Sequence, residues 1–325
     1  MRQRIRPAHN TMGAAMPSRT VRILNFDGSL VQQTGLLDRF CPVVVDCTAL
    51  GPSCRLWINK KDADRVRALL APALRQSITL TGSGDFHHIT ALLLEQFNEP
   101  ISVIVFDCHP DWDILPPRFG CGSWVSAALR RSNIRKVVLL GMSSDDLDSR
   151  ALHTGNFAAL ADNRVELYPY AHKPSRVIGR RVPENCSLHV RRRGPVTDIH
   201  WQELRCADLE RVMESIIGRI PTQKMYISID KDCLTPQHAL TNWEPGRLAL
   251  DELLRMLELL QKKFDIVGMD ITGEYSPPVV AGRLKAWCSR IDHPALYSAR
   301  SHPLARICST NEQTNLRLLS LLTAG

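Results

Sequence analysis

Eight short apolar runs, separated by helical patterns, constrain the fold of this chain more than any other feature of its sequence. Several of these runs are apolar at nearly every position, not only at alternating positions. Continuous apolar runs are typical of parallel strands covered on both faces. The eight predicted strands are Val21–Phe26, Pro42–Asp46, Ser77–Thr81, Ile101–Phe106, Lys136–Gly141, Arg164–Tyr168, Lys224–Ile229 and Phe264–Asp270.

Helical patterns lie between these runs. The segment Asp62–Leu74 has apolar residues at helical spacing and acidic residues in its first turn, where carboxylates favour the start of a helix. Strands that alternate with helices are typical of βαβ units, so the sequence predicts an α/β fold with a parallel sheet. The stretch 171–197 fits neither pattern, and we expect an irregular excursion there. The other predicted helices are Ile89–Phe97, Ser123–Arg131, Ala207–Arg219 and Leu250–Lys263.

The chain has 325 residues and a formal net charge of +8, part of which is concentrated in two segments. Residues 1–20 are basic but lack an apolar core of signal-peptide length. We therefore predict a disordered or wrongly started tail, with Met12 and Met16 as possible starts, before a single domain over 21–325. The basic segment 176–193 is interpreted as a solvated loop, because no interleaved aromatic residues or known module supports nucleic-acid binding. No stretch approaches the roughly 18–20 apolar residues of a membrane span.

The ten cysteines include no CxxC pair. Most of them lie beside apolar runs, where a reduced cysteine packs as a small hydrophobic residue. Since there is no secretory signal, we do not expect a disulfide framework. We predict a cytoplasmic protein with reduced thiols.

Acidic residues and histidines follow four of the predicted strands, at the end where open parallel sheets form their ligand sites. After the fourth run the sequence reads DCHPDWD, from 107 to 113. Residues two apart in extended backbone point to the same side, so Asp107, His109, Asp111 and Asp113 are candidates to converge. Closely packed carboxylates repel one another unless cations lie between them. The pattern predicts a site for one or two divalent metal ions.

The exits of three further strands hold the same residue types. A carboxylate at a strand end is often only a helix cap or a turn former, and a histidine pair is often structural. Four such exits in one chain favour a metal centre over four separate caps. The residues are Asp230 and Asp232 after the seventh run, His87 and His88 after the third, and Glu274 after the eighth.

Mixed carboxylate and imidazole ligands suit a borderline-hard divalent ion such as Mn²⁺ better than Mg²⁺ or Ca²⁺. Two such ions that share carboxylates would make water acidic enough to supply hydroxide near neutral pH. The ligand pattern therefore indicates a hydrolase that acts at a carbon or phosphorus centre.

Three of these segments together resemble the signatures of the ureohydrolases, the arginases, agmatinases and their relatives. Those signatures are roughly GGDHS-x-T, DAHxD and SxDxDxxDP. Here the segments GSGDFHHIT (82–90), DCHPDWD (107–113) and SIDKDCLTP (228–236) occur in the same order and at similar separations. The resemblance spans at least residues 77–277. It implies one three-layer α/β/α domain whose central, mostly parallel sheet has about eight strands, and a homo-oligomer.

The resemblance also implies two Mn²⁺ per chain at the strand ends, where activated water would attack the guanidinium carbon of a substrate and release urea. Asp111, Glu274 and His88 are the candidate catalytic residues. Glu274, in the segment GEYSP, matches an acid that holds the cationic group of the substrate. By position, the metal ligands are Asp107 and Asp230 as bridges, His87 and Asp111 on one ion, and His109 and Asp232 on the other.

The positions that would face the substrate depart from the family pattern. Phe86 is an extra residue in the first signature, and the alignment of HHIT with HSIT favours His87 over His88 as the ligand. The proton-shuttle histidine of the family falls at Val125. The family's Asn and Ser groups that bind an amino-acid carboxylate are replaced by Trp112 and Asp113, which with Glu274 are our candidate substrate-binding residues. Because Asp113 could pair with a cationic tail, we expect an amine such as agmatine as substrate more than arginine.

Two other functions remain open from the sequence. One is a metal-dependent amidohydrolase or deacetylase of related fold, which uses one Zn²⁺ and tandem histidines, as in His87-His88. The second metal ligand set argues against it, since Asp111 and Asp232 are both present. The other is a non-catalytic relative that binds a small molecule or a partner through segment 176–193. Intact clustered carboxylates argue against this reading, because they are costly to keep without a metal.

Overall fold

The computed structural model describes residues 19–70, 76–205, 208–293 and 302–324. Its strands are β1 Val21–Asn25, β2 Val43–Asp46, β3 Ile78–Leu80, β4 Ile101–Phe106, β5 Ile134–Leu140, β6 Val165–Tyr168, β7 Ser175–Ile178, β8 Leu188–Arg193, β9 Val196–Trp201, β10 Lys224–Asp230 and β11 Asp265–Thr272. Its helices are α1 Thr34–Phe40, α2 Gly51–Cys54, α3 Lys60–Leu70, α4 Ile89–Leu94, α5 Trp124–Ala128, α6 Phe157–Ala161, α7 Leu209–Ile217, α8 Leu250–Lys263, α9 Arg283–Asp292 and α10 Leu304–Thr323.

Eight strands form one parallel sheet in the order β2-β1-β3-β11-β10-β4-β5-β6. They are the eight predicted strands, and their ends differ from the prediction by at most two residues. The sheet order places β3, β11, β10 and β4 side by side in the middle. These are the four strands whose exits carry the candidate ligands.

Helices cover both faces of this sheet, which confirms the three-layer α/β/α architecture. Successive side chains of a strand point to opposite faces, and β4 follows this rule. Val103 and Val105 pack into the core that includes residues of α3–α6, whereas Ile104 and Phe106 pack into the core that includes residues of α7, α8 and α10. Both faces are buried, which explains why the strands read as continuous apolar runs.

The five predicted helices are present, and α8 has the predicted bounds. Helices α4, α5 and α7 are shorter than predicted. Helix α3 begins two residues earlier than predicted, and residues 71–75, into which its prediction extends, lie outside the described residues. So do residues 1–18, which hold most of the predicted tail. Helices α9 and α10 were not predicted. None of the described helices is long and apolar enough to cross a membrane.

The segment 171–197 leaves the central sheet, as the prediction of an excursion implies, but the irregular structure and the basic loop expected within it are wrong. Strands β7, β9 and β8 form an antiparallel sheet in that order. Leu188 and Ile199 are buried in the core, so this small sheet packs with its apolar face inward. The consecutive arginines Arg191–Arg193 are exposed on the edge strand β8. Charged side chains on an edge strand disfavour pairing with another sheet, which gives this basic segment a structural reason.

The described cysteines are all free thiols. Cys47, Cys54, Cys108 and Cys233 are buried in the protein interior. This agrees with the prediction that reduced cysteines pack as small hydrophobic residues. Cys206 lies outside the described residues.

A buried ionic cluster joins the strands β5 and β6 at the far side of the sheet. The Nζ of Lys136 lies 2.6 Å from Oε1 of Glu166, and the hydroxyl of Tyr168 donates to Oε2 of Glu166 at 2.8 Å. Burial alone would raise the pKa of Glu166, but Lys136, Tyr168 and Arg219 outweigh it and hold that pKa below its usual value. The glutamate is therefore charged in the folded protein.

Glu166→Gln is expected to lower the free energy of unfolding by about 3 kcal/mol at pH 7, because the buried Lys136 loses its counter-charge. Because the pKa of Glu166 is lower in the folded protein than in the unfolded chain, where it is about 4.3, its charge stabilises the fold at pH values above about 4.3. This stabilisation is lost as the pH falls through the pKa of Glu166 in the folded protein. The difference between the wild type and the variant should therefore shrink as urea unfolding is repeated from pH 6 to pH 3. The exposed Glu258→Gln on α8 is the control, and a pH-independent difference for Glu166→Gln would contradict the assignment.

Candidate metal centre

The candidate ligands meet at the carboxyl edge of the sheet, on the face covered by α4 and α5. Strand alternation explains the side: Ser228 and Asp230 of β10 point the same way, and Ser228 lies 2.9 Å from Nε2 of His87. Asp107 directly follows β4, the neighbour of β10. The loops after β3, β4 and β10 are thus brought to one place by the sheet itself.

The first group of possible ligands is His87, Asp107 and Asp230, with Asp111 beside it. The Nδ1 of His87 lies 3.0 Å from Oδ2 of Asp107, 3.1 Å from Oδ2 of Asp111 and 3.6 Å from Oδ2 of Asp230. The ligand atoms of His87, Asp107 and Asp230 all lie within 4.8 Å of one another. One ion could contact all three.

The second group is Asp107, His109 and Asp232. The Nδ1 of His109 lies 3.1 Å from Oδ2 of Asp232 and 3.5 Å from Oδ1 of Asp107. These three residues also offer ligand atoms within 4.8 Å of one another. Asp107 belongs to both groups, as expected of a bridging carboxylate.

Backbone amides hold one oxygen of three of these carboxylates. The amide of His109 donates to Oδ1 of Asp107 at 2.7 Å, and that of Cys108 to Oδ1 of Asp232 at 3.0 Å. The amide of Asp232 donates to Oδ1 of Asp230 at 3.0 Å. The Oδ2 atoms of Asp107 and Asp230 face His87, and that of Asp232 faces His109. Oδ1 of Asp107 also lies near His109. The loops thus orient the carboxylates before any ion binds.

Asp111 reaches the site through an unusual backbone conformation. Its φ is +45°, in the left-handed region that non-glycine residues rarely adopt. The indole of Trp124 donates to its Oδ2 at 2.7 Å, and the amide of Val125 donates to its carbonyl at 3.0 Å. Strain of this kind persists where the surrounding structure enforces it, often at functional sites.

The shifted pKa values of the cluster indicate that its carboxylates lack sufficient neighbouring positive charge. Burial and then the neighbouring carboxylates raise the pKa of Asp111 to about 7 and that of Asp232 to about 6, and raise the pKa of Asp230 well above its usual value. Burial opposes protonation of His87, but Asp107 and Asp111 outweigh it and raise its pKa well above normal. Divalent cations would remove this conflict between like charges.

Nδ1 of His87 and Oδ2 of Asp107, at the centre of the cluster, are both fully buried and lie 3.0 Å apart. Within the described residues, neither atom forms a hydrogen bond of good geometry. Buried polar atoms without a partner are rare in proteins and require an explanation. Together with the oxygen and imidazole donor set, they fit a pair of borderline-hard divalent ions.

A second layer of polar residues supports His87 from behind. Ser228, which contacts its Nε2, donates to Oδ1 of Asp270 at 2.8 Å, and Thr90 donates to the same oxygen at 3.0 Å. Metal-binding histidines commonly have such a partner on the nitrogen away from the metal, which fixes the ring orientation. Sequence reasoning missed Ser228 and Asp270 in this role, although Ser228 begins the SIDKD segment.

A cavity of about 330 Å³ opens over the two groups. His87, Asp107, His109, Asp111, Asp230 and Asp232 all line it. Its outer walls come from the loop 113–123, from Leu56 and Trp57, and from the C-terminal half of α9. The size falls within the range of small-molecule sites, roughly 300–1,000 Å³.

Comparison with known proteins agrees with this arrangement. The profile of the arginase family matches residues 43–286, most of the chain. This chain belongs to the arginase family. An uncharacterized protein of Thermotoga maritima is 25% identical over 201 residues, which are 62% of this chain and 59% of that protein.

Arginase 2, chloroplastic/mitochondrial, of Arabidopsis thaliana is 36% identical over 90 residues, 27% of this chain and 25% of that protein. The chain thus matches less than two thirds of the length of either curated relative. Among solved structures, proclavaminate amidino hydrolase from Streptomyces clavuligerus is similar over 94% of both chains, with a TM-score of 0.52 and 15% identity. At this identity the likeness shows the arginase-like fold alone.

His87 and His88 have different surroundings in this arginase-family chain. His87 is part of the metal cluster, as the alignment of HHIT with HSIT favours. His88 does not line the cavity, and its two ring nitrogens are buried without hydrogen-bond partners among the described residues. Burial lowers the pKa of His88 to about 3, with smaller contributions from Lys285 and His87. A neutral ring away from the cavity does not support the catalytic role predicted for His88.

Trp112 and Glu274 also lie away from the cavity. Trp112 packs in the core against Phe157, with ring centroids 5.5 Å apart. It points away from Asp111 and Asp113, which line the cavity, as strand-like alternation requires. Glu274 is buried and ion-paired with Lys231. Gln33 and Asn315 also donate to its carboxylate, at 3.0 and 2.7 Å. The geometry therefore does not support contact of either residue with a substrate.

Lys231 explains the altered position of Glu274. Lys231 comes directly after Asp230, the last residue of β10. By alternation it points to the other face of the sheet, where α1 and α10 lie. It is completely buried there, so it needs a carboxylate partner. Glu274 provides this partner and is neutralised by it. The sequence letters SIDKD contain this signal, because a lysine within a buried strand exit predicts a buried acid near it.

A buried polar network beneath the first ligand loop was not predicted. Asp85, two residues before His87, accepts from Nη1 of Arg55 at 2.5 Å and lies 2.6 Å from Nε2 of His293. The indole of Trp243 also donates to Asp85 at 3.1 Å. Burial would raise the pKa of Asp85, but Arg55 and His293 outweigh it and lower that pKa to about 2. The network ties α9 and the loop of Trp243 to the metal centre.

Proposed function

We propose that this protein is a ureohydrolase-type hydrolase that binds two Mn²⁺ and cleaves a C–N bond of a guanidino compound, releasing urea. One observation carries the proposal: two buried ligand groups share Asp107 at the floor of a cavity. The family membership supports hydrolysis of C–N bonds. A cytoplasmic homo-oligomer stays our prediction for its location and assembly.

Two bound divalent ions would make water acidic enough to attack the guanidinium carbon near neutral pH. The residues of the chain have three tasks in this reaction. Asp107, Asp230 and Asp232 hold the ions with the oxygens that the backbone leaves free. Ser228 and Asp270 keep the ring of His87 in place. Trp124 keeps Asp111 directed into the cavity.

The charge of the cavity favours an agmatine-like amine over arginine. Asp113 lines the cavity, and Thr154 donates to its Oδ1 at 2.7 Å. No lysine or arginine is present among the described residues that line the cavity. The carboxylate of an amino acid would therefore lack a cationic partner there, whereas an ammonium group would meet Asp113.

Purified protein loaded with Mn²⁺ should release urea from agmatine with a higher kcat/KM than from arginine. Metal analysis after dialysis should give about two Mn²⁺ per chain. Failure of agmatine, arginine and a panel of other guanidino compounds to yield urea would refute the proposal. One tightly bound Zn²⁺ with deacetylation of acylated amines would favour the amidohydrolase reading instead.

Asp113→Asn should raise the KM for agmatine by about 10-fold or more and leave kcat within a factor of about three. The loss of a desolvated ammonium–carboxylate contact has this size, and asparagine keeps the hydrogen bond from Thr154. Steady-state urea release would measure both constants, with the exposed Asp162→Asn as the matched control. An unchanged KM would exclude Asp113 from substrate binding.

A further inference from the structure

Three carboxylates in the cavity take no part in the candidate metal centre. They are Asp113, Asp146 and Asp292, and all three line the cavity wall. Within the described residues, none of them forms an ion pair with a lysine, arginine or histidine. Their hydrogen bonds come from neutral hydroxyls: Thr154 donates to Asp113, and Ser144 donates to Asp146 at 3.1 Å.

These carboxylates come from three separate parts of the chain. Asp113 lies on the loop after β4, Asp146 lies in the turn Asp145–Leu147 after β5, and Asp292 is the last residue of α9. They nevertheless act on one another. Burial, Asp85 and Asp146 raise the pKa of Asp292, while the neighbouring His293 acts in the opposite direction. Three distant segments therefore deliver like charges to one cavity.

Helix α9 turns its polar side towards the protein interior and its apolar side towards the surface. It buries Lys285 and Ser289, while Leu284, Trp287 and Ile291 are 68%, 61% and 56% exposed. Surface helices ordinarily bury their apolar stripe, so this helix has the reverse arrangement. Polar contacts fix it: Lys285 donates to the carbonyls of Ser53 and Trp57, both at 2.7 Å, and His293, just after the helix, contacts Asp85.

The same cavity holds independent evidence of a ligand. His87 and Asp107 are about 99% buried and line the cavity. Their Nδ1 and Oδ2 atoms lie 3.0 Å apart without a hydrogen bond of good geometry among the described residues. The three carboxylates of the wall lie on α9 and on the loops after β4 and β5. The cavity thus combines a reaction centre with an anionic wall.

We propose that the substrate is a guanidino-polyamine, a guanidinium joined to a chain with at least two ammonium groups. This inference rests on the proposed function. The guanidinium carbon would lie over the metal centre, one ammonium beside Asp113, and a further ammonium between Asp146 and Asp292. All three carboxylates are half-buried in the free protein. A substrate that fills the cavity with a single ammonium would cover two of them without a counter-charge, which is unfavourable.

Urea release should be compared between agmatine and agmatine extended by an aminopropyl group on its amine. We expect the extended compound to have a kcat/KM about 10- to 100-fold higher, as one more buried charge pair would give. Asp292→Asn and Asp146→Asn should each remove most of this gain. Asp162→Asn, an exposed acid outside the cavity, should leave the gain unchanged, and thermal unfolding would verify that the variants fold.

A binding experiment separates this inference from the proposed function. Calorimetry with spermidine, which lacks a guanidinium, should detect binding to the Mn²⁺-loaded protein that weakens about 10-fold in Asp292→Asn. Urea from agmatine without any advantage of the extended compound, and without spermidine binding, would overturn the inference and leave the proposed function standing. If no guanidino compound gives urea, the proposed function fails, and spermidine binding alone then supports or refutes a polyamine site.

Discussion

Asp107→Ala should remove bound Mn²⁺ from both positions of the metal centre, not from one. Asp107 is the one residue common to the two ligand groups, and its two oxygens face His87 and His109 separately. Loss of a mere supporting residue costs about 10- to 100-fold in metal affinity, and loss of a shared ligand should cost more. We expect less than about one tenth of the wild-type Mn²⁺ content after dialysis, and a fall in urea release of at least about 1,000-fold.

Asp232→Ala is the informative partner for this variant, because Asp232 belongs to one group only. It should weaken one position more than the other and leave about one Mn²⁺ per chain. Asp162→Ala, an exposed acid at the end of α6, controls for the loss of a carboxylate. If Asp107→Ala retained the full metal content, our assignment of the bridge would be wrong. Asp230→Ala applies the same measurement to the second predicted bridge.

Arg55→Met should destabilise the whole protein by about 3–5 kcal/mol, the cost of removing one partner of a buried ion pair. Arg55 is 2% exposed and Asp85 is completely buried. Arg55 also donates to Ser276 at 2.7 Å. Methionine fills a similar volume, but the carboxylate of Asp85 then keeps only His293 and Trp243 as partners among the described residues. Thermal unfolding should shift downward by about 4–7 °C, because the unfolding entropy of a chain of this size gives a shift of about 1.5 °C per kcal/mol.

Arg65→Met provides the comparison for Arg55→Met. Arg65 lies 3.2 Å from Asp62 on α3, but its side chain is 54% exposed, and exposed pairs contribute only about 0–1 kcal/mol. A similar loss of stability in both variants would show that the burial of Arg55 is unimportant. Since Arg55 and Asp85 lie beneath the loop of His87, Mn²⁺ affinity should also fall in Arg55→Met and not in Arg65→Met.

The central sheet could be predicted from sequence because local and tertiary signals agree there. Every strand of the central sheet except the edge strand β2 is largely buried on both faces, so its apolar run is continuous and bounded by turns. The metal ligands could be predicted for a related reason. Parallel strands end at one edge, so residues that directly follow β3, β4 and β10 must lie near one another.

Predictions failed where a side chain depends on partners remote in sequence. Glu274 was predicted from its position in the family pattern to bind the substrate, but it is ion-paired with Lys231 and accepts a hydrogen bond from Asn315. No local sequence pattern predicts the contact with Asn315. Trp112 was expected at the cavity, yet it packs in the core against Phe157, while Asp111 and Asp113 on either side of it line the cavity. The network of Arg55, Asp85 and His293 joins segments 30 and 208 residues apart and left no signal in the sequence.

The reversed orientation of α9 has a dynamic consequence. A helix that buries no large apolar side chain gains little hydrophobic free energy from docking. Its attachment depends on a few contacts of charged groups, each of which contributes about 1.5–3 kcal/mol. Segments with few buried apolar contacts open locally more often than the sheet unfolds. We therefore expect the part of the cavity wall on α9 to open more often than the ligand-bearing loops at the ends of β3, β4 and β10.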